Sequence, residues 1–153
     1  MGREIERKFL VRGTDWKQGA SVTVMRQGYL STDPGRVVRV RVEGDQAALT
    51  IKGKSVGAVR GEWEYAIPVA DAEELLALCQ RPLIEKSRYR VEHGGMLWEI
   101  DEFRGDNAGL VVAEIELESE GQAFEKPHWA AEEVTQDARY YNSNLLRHPY
   151  KDW

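Results

Sequence analysis

The feature that most constrains this chain is a two-residue alternation in which like charges recur on one side and apolar groups on the other. In VVRVRVE, Arg39 and Arg41 alternate with Val38, Val40 and Val42. Thr50 and Lys52 alternate with Leu49 and Ile51, Glu62 and Glu64 with Trp63, Tyr65 and Ile67, and Glu99 and Asp101 with Trp98 and Ile100. Lys86, Arg88 and Arg90 share one side of their segment, and Glu114, Glu116 and Glu118 stand opposite Ala113, Ile115 and Leu117. The first run, EIERKF, gathers Glu4, Glu6 and Lys8 on one face. This period belongs to β-strands, whose successive side chains point to opposite faces. Each strand therefore has a charged wall and an apolar wall.

On a single strand, a charged wall is ordinarily a solvated face above an apolar core. Two properties of the set argue against that here. Repeating one sign along a strand costs repulsion that a mixed polar face avoids. Arginine also exceeds lysine on the basic strands, and its planar fork suits bidentate binding of oxyanions. If the strands close on themselves, the charged walls face one another across a lumen and the apolar walls lie outside. Bases for a polyanion then sit beside carboxylates for hard cations, the combination expected of a metal-polyphosphate site.

The alternation predicts strands over residues 4–11, 24–30, 37–43, 47–54, 61–69, 86–92, 96–103 and 112–118. Glycine-bearing turn signals separate them, among them Asp33-Pro34-Gly35, Gly44-Asp45 and His93-Gly94-Gly95. A helix is expected over 71–80 with Asp71 as its cap, shorter ones at 121–124 and 142–146, and a turn at 134–137 leading to Arg139. The expected fold is α+β and mainly antiparallel β: an eight-stranded closed tunnel with a charged lumen and a few covering helices, one domain spanning residues 1–153.

Net charge is −5, from 26 acids and 21 bases. That balance argues against a nucleic-acid partner, while leaving room for a locally basic cavity. Cys79 is the only cysteine, so a reducing compartment is expected and a buried apolar role for the thiol. No apolar run suits a membrane span or a leader, so the expected location is cytoplasmic. His93, His128 and His148 lack zinc-site spacing, Trp16, Trp129 and Trp153 read as packing, and Lys54, Arg90 and Glu118 read as exposed strand ends.

These motifs, in this order, resemble the CYTH superfamily, the triphosphate tunnel metalloenzymes. ExExK is met by Glu4, Glu6 and Lys8; RxR by Arg39 and Arg41; TxK by Thr50 and Lys52; the first ExE by Glu62 and Glu64. KxR follows in Lys86 and Arg88, ExD in Glu99 and Asp101, and the late ExE in Glu114 and Glu116. The stretch EEVTQDARYYNSNL also resembles small bacterial members, except that Ala138 replaces the lysine of their Lys-Arg pair and only Arg139 remains.

The resemblance implies a metal-dependent phosphohydrolase, foremost one that splits inorganic tripolyphosphate into pyrophosphate and phosphate. Arg39, Arg41, Lys52, Lys86, Arg88 and Arg139 are the expected phosphate clamps, with Arg60 at the tunnel mouth. Glu4, Glu6, Glu114 and Glu116 lead as ligands for Mg²⁺ or Mn²⁺, and Glu62, Glu64, Glu99 and Asp101 are further candidates. Lys8 is read first as a clamp. Its alternative is a base partnered by Tyr29, similar to the Lys-Tyr pair of thiamine triphosphatase relatives, though packing is the leading role for Tyr29. The expected partner is a small triphosphate, bound by a monomer or a homodimer. The competing functions are a class IV adenylate cyclase, a thiamine triphosphatase and a non-catalytic polyphosphate-binding module.

Overall fold

The computed structural model describes residues 2–153. Ten strands run β1 (Glu4–Val11), β2 (Ser21–Ser31), β3 (Val37–Glu43), β4 (Gln46–Lys52), β5 (Val59–Arg60), β6 (Glu62–Ile67), β7 (Ile84–His93), β8 (Met96–Phe103), β9 (Val111–Glu116) and β10 (Ala130–Glu133). One helix, α1 (Val69–Leu78), follows β6. The sheet order is β10-β1-β9-β8-β7-β2-β3-β4-β6, with every pairing antiparallel. Its two ends meet through short β5, which pairs Arg60 with Glu4 and Val59 with Ile5, and through Glu62 N–H donating to Gly2 O at 3.2 Å. The barrel is thus nearly closed.

Ten strands replace the expected eight. The additions, β5 and β10, have two and four residues, too few to show a period. The helix spans 69–78 rather than 71–80 because Pro68 leaves β6 in extended conformation and the helix starts directly after it. Asp71 lies inside the first turn, and no side chain caps that end. Residues 121–124 form no helix, and 142–146 hold only a 3-10 turn at Asn142–Asn144.

The apolar walls face outward, as the alternation requires. Ile5, Phe9, Trp98, Ile100, Ala113 and Ile115 form one outer core under Trp16, Phe124 and Trp129. Val40, Val42, Ala47 and Leu49 form another beneath Ala72, Leu76 and Cys79. The contact at Gly28 is so close that a Cβ there would meet Cys79 Cβ at 2.7 Å, so β2 must carry glycine at this point. A third cluster lies across one end of the barrel, where Tyr140, Leu145 and Leu146 pack on Tyr29, Ile84, Phe103 and Val112. Among the described residues, no helix is long and apolar enough to cross a membrane.

Candidate active site

Inside the barrel lies a cavity of about 260 Å³, lined almost wholly by charged and polar groups. Glu4, Glu6 and Lys8 come from β1, Arg39, Arg41 and Glu43 from β3, Lys52 from β4, and Glu62 and Glu64 from β6. Lys86, Arg88 and Arg90 come from β7, Glu99 from β8, and Glu114 and Glu116 from β9; Arg60, Tyr29, Val37, Tyr141, Asn142 and Ser143 complete the wall.

Strand register sets who meets whom. Arg88 stands opposite Asp101 on β8 and binds it through two bonds, Nε to Oδ1 at 2.7 Å and Nη2 to Oδ2 at 2.9 Å. It also reaches Glu99 at 3.3 Å and Glu114 at 3.1 Å. Lys86 Nζ donates to Asp101 Oδ2 and to Asn142 Oδ1, each at 2.8 Å. Lys52 holds Glu4 at 3.2 Å and its register partner Glu62 at 3.4 Å. Arg39 donates to Thr50 Oγ1 at 3.1 Å and Glu64 Oε1 at 3.3 Å, while its buried Nε has no partner. Arg41 Nε donates to Gln27 Oε1 at 2.9 Å.

The carboxylates cluster more densely than an antiparallel ladder tolerates unaided. Glu6 stands opposite Glu116 and Glu99 opposite Glu114, like-charge pairings that ordinarily destabilise a sheet. Burial, reinforced by Glu114 and Glu4, holds the Glu6 carboxyl well above its usual range. Burial and neighbouring Glu4 raise Glu62 to about 7, and burial together with Glu4 and Glu99 raises Glu116. Against burial, Lys52 keeps Glu4 below its ordinary value, and Lys8 and Arg88 hold Glu114 at about 2.

Among the cations, burial opposes the Lys8 ammonium, but Glu114, Glu6 and Glu4 outweigh it and raise its pKa. Lys8 sits 5.1 Å above the Tyr141 ring, and no hydrogen bond joins it to Tyr29 among the described residues. Burial draws Lys86 down to about 7 despite Asp101, with Arg88 and Arg41 adding to the effect. Burial, then Arg39 and Arg88, lower Arg41 to about 9.

Three expectations need correction. Arg139 is not brought to the cavity: it pairs with Asp137 at 2.8 Å and its guanidinium lies 5.0 Å over the Trp153 ring. Asp101 does line up with the charged wall, but it is buried beneath Arg88 and Lys86, which bond its oxygens, and it is not among the residues that line the cavity. Arg90 is no free strand end, because it lines the cavity and bonds Glu43 at 2.9 Å and Glu99 at 3.4 Å. Lys54 and Glu118 are exposed, and Trp16, Trp129 and Cys79 are buried in packing. His93 and His128 pair with Glu125 and Asp15 outside the cavity.

Sequence reasoning missed Gln27, Glu43, Tyr141, Asn142 and Ser143. Glu43 and Gln27 continue the parity of Arg41 and Tyr29, so the alternation contained them. Residues 141–143 sit in a non-repetitive segment with no period to read.

A family profile described as the CYTH domain matches residues 2–150. The chain is 52% identical over 154 residues to an inorganic triphosphatase of Acetivibrio thermocellus, covering 100% of this chain and 99% of that protein. It is 40% identical over 147 residues to an inorganic triphosphatase of Nitrosomonas europaea, covering 93% and 95%. Among solved structures, the crystal structure of an inorganic triphosphatase superposes with a TM-score of 0.67 at 37% identity, covering 94% of this chain and 93% of that one.

Proposed function

The chain belongs to the CYTH domain family, and we propose that it is an inorganic triphosphatase, cleaving tripolyphosphate to pyrophosphate and phosphate with the help of a divalent metal ion. The observation that carries this reading is the sign-segregated lumen, where Arg39, Arg41, Lys52, Lys86, Arg88 and Lys8 converge on one cavity with Glu4, Glu6, Glu62, Glu114 and Glu116. A linear triphosphate is a compact polyanion, and a recessed cationic cavity attracts it far more strongly than exposed charges do.

The carboxylates fit a hard cation by their chemistry and their crowding: Glu6 and Glu116 face each other with no lysine or arginine paired to either among the described residues. No three of the described acids converge closely enough to hold a metal alone. Mg²⁺ or Mn²⁺ is commonly held by one or two carboxylates, with substrate phosphate oxygens completing its shell. Glu4, Glu6, Glu114 and Glu116 are the proposed set from which those one or two ligands come, with Glu62 and Glu64 beside them. When bound, such an ion neutralises phosphate charge and acidifies an attacking water.

The chain's own residues position the phosphate and stabilise its charge. Arg39 and Arg41 offer guanidinium edges to non-bridging oxygens, and Lys8 and Lys52 stand by as point charges. As water oxygen bonds to the terminal phosphorus and the bridging P–O bond breaks, charge spreads over the transferred phosphoryl and the departing pyrophosphate, where these cations oppose it. We place the enzyme, residues 1–153 acting as one unit, in the cytoplasm, where a single buried cysteine suits the reducing conditions.

The test is incubation with tripolyphosphate, ATP or thiamine triphosphate, with Mg²⁺ or Mn²⁺, resolving all products. Equimolar phosphate and pyrophosphate from tripolyphosphate, abolished by chelator, is the expected result. Cyclic AMP with pyrophosphate would make it a cyclase, preference for thiamine triphosphate would change the substrate, and binding without products would leave a binding module.

A further inference from the structure

Arg41 differs from most of the lumen cations in what holds it. Among the described residues, Lys8, Arg39, Lys52, Lys86, Arg88 and Arg90 each pair with at least one carboxylate. Arg41 has no carboxylate partner. Its Nε donates instead to the amide oxygen of Gln27, the residue directly opposite it in the β2–β3 register.

Gln27 is fully buried, and its amide is committed at both ends. Its nitrogen donates to Tyr29 Oη at 3.0 Å and to Asn142 Oδ1 at 3.1 Å. The chain of donors and acceptors admits one arrangement. The Arg41 guanidinium can only donate, so Gln27 presents its carbonyl to it; the Gln27 amide nitrogen then faces Asn142, whose carbonyl accepts from both Gln27 and Lys86. The orientation of Arg41 is thereby tied to Lys86 and to the segment across the barrel's end.

We propose that Gln27 is a positioning residue for triphosphate binding: a neutral amide that fixes the Arg41 guanidinium without neutralising it, leaving its full charge for a substrate phosphate. The inference rests on the triphosphate reading of the lumen. A carboxylate at this position would do to Arg41 what Asp101 does to Arg88, supplying an ion pair with which a phosphate must compete. An apolar side chain would leave buried donors unpaired and the guanidinium free to turn.

The experiment compares wild type, Q27E and Q27M by hydrolysis kinetics, by calorimetric binding of tripolyphosphate in chelator, and by thermal unfolding. Q27E, nearly isosteric, should raise KM and the metal-free Kd by about tenfold or more because the new ion pair occupies the clamp. It should lower Tm because its second oxygen cannot donate to Asn142 Oδ1 as the amide did. Q27M, which keeps the charge free but unaligned, should raise KM by only about threefold and lower kcat by a similar factor. Should Q27E fail to fold, the Q27M result decides alone. Wild-type KM and Kd in the variants would overturn the inference while leaving the substrate reading in place. Wild-type protein that does not bind tripolyphosphate would overturn both.

Discussion

β3 and β7 carry the same kind of pattern, alternate basic residues facing the lumen, yet the structure gives them different work. On β7, Arg88 spends its guanidinium on Asp101, Glu99 and Glu114, and Lys86 is bonded to Asp101 and Asn142. On β3, Arg39 retains an unbonded Nε and Arg41 leans on a neutral amide. The β7 cations brace the barrel against its own carboxylates, whereas in the function we propose the less heavily paired β3 cations meet the ligand. Cations with identical spacing thus acquire different partners according to the strands beside them.

The sharpest way to break this contrast is at Asp101. D101N leaves Arg88 and Lys86 buried without their shared counter-charge and should cost about 3–5 kcal/mol of stability in urea unfolding. A loss of activity without a loss of stability would remove the framework role. Next comes acid. Glu114, ordinarily at 4.5, is held at about 2 when folded, so its contribution is complete above 4.5 and disappears as pH falls through that interval. Stability should drop by roughly 3 kcal/mol across it, and E114Q should flatten that part of the profile; an unchanged slope in E114Q would refute the assignment.

R41A tests the other strand. It should lower kcat/KM by about 30- to 150-fold, equivalent to roughly 2–3 kcal/mol, while leaving stability unchanged or slightly raised. If R41A destabilises the protein as much as D101N, the two strands do not differ. R139A, outside the lumen and paired with Asp137, should change kcat/KM by less than about twofold, and a larger loss would bring that arginine back to the substrate.

The alternation made the barrel's two faces legible, because parity alone separates Arg39 and Arg41 from Val38 and Val40. It even contained the key ion pair. The β7–β8 hairpin turns at Gly94-Gly95, whose φ values of 60° and 77° suit a two-residue turn, and counting back from His93 opposite Met96 puts Arg88 opposite Asp101. What the pattern lacked was the identity of neighbouring strands distant in sequence, so Glu114 beside Arg88 was out of reach, and the register shift between Tyr29 and Ser31 hid Gln27 opposite Arg41 in the adjacent β2–β3 pair. β5 and β10 were too short to register a period. Asn142 sits in a 3-10 turn where no periodicity marks which residues face inward, and Arg139, only three positions earlier, points away for reasons of local turn geometry.

The most direct test of the central claim is a crystal structure of the protein with tripolyphosphate bound. The account predicts phosphate oxygens on the guanidiniums of Arg39 and Arg41, with both Arg88–Asp101 bonds intact. A triphosphate that displaces Asp101 to reach Arg88, or that binds outside the barrel, would contradict it.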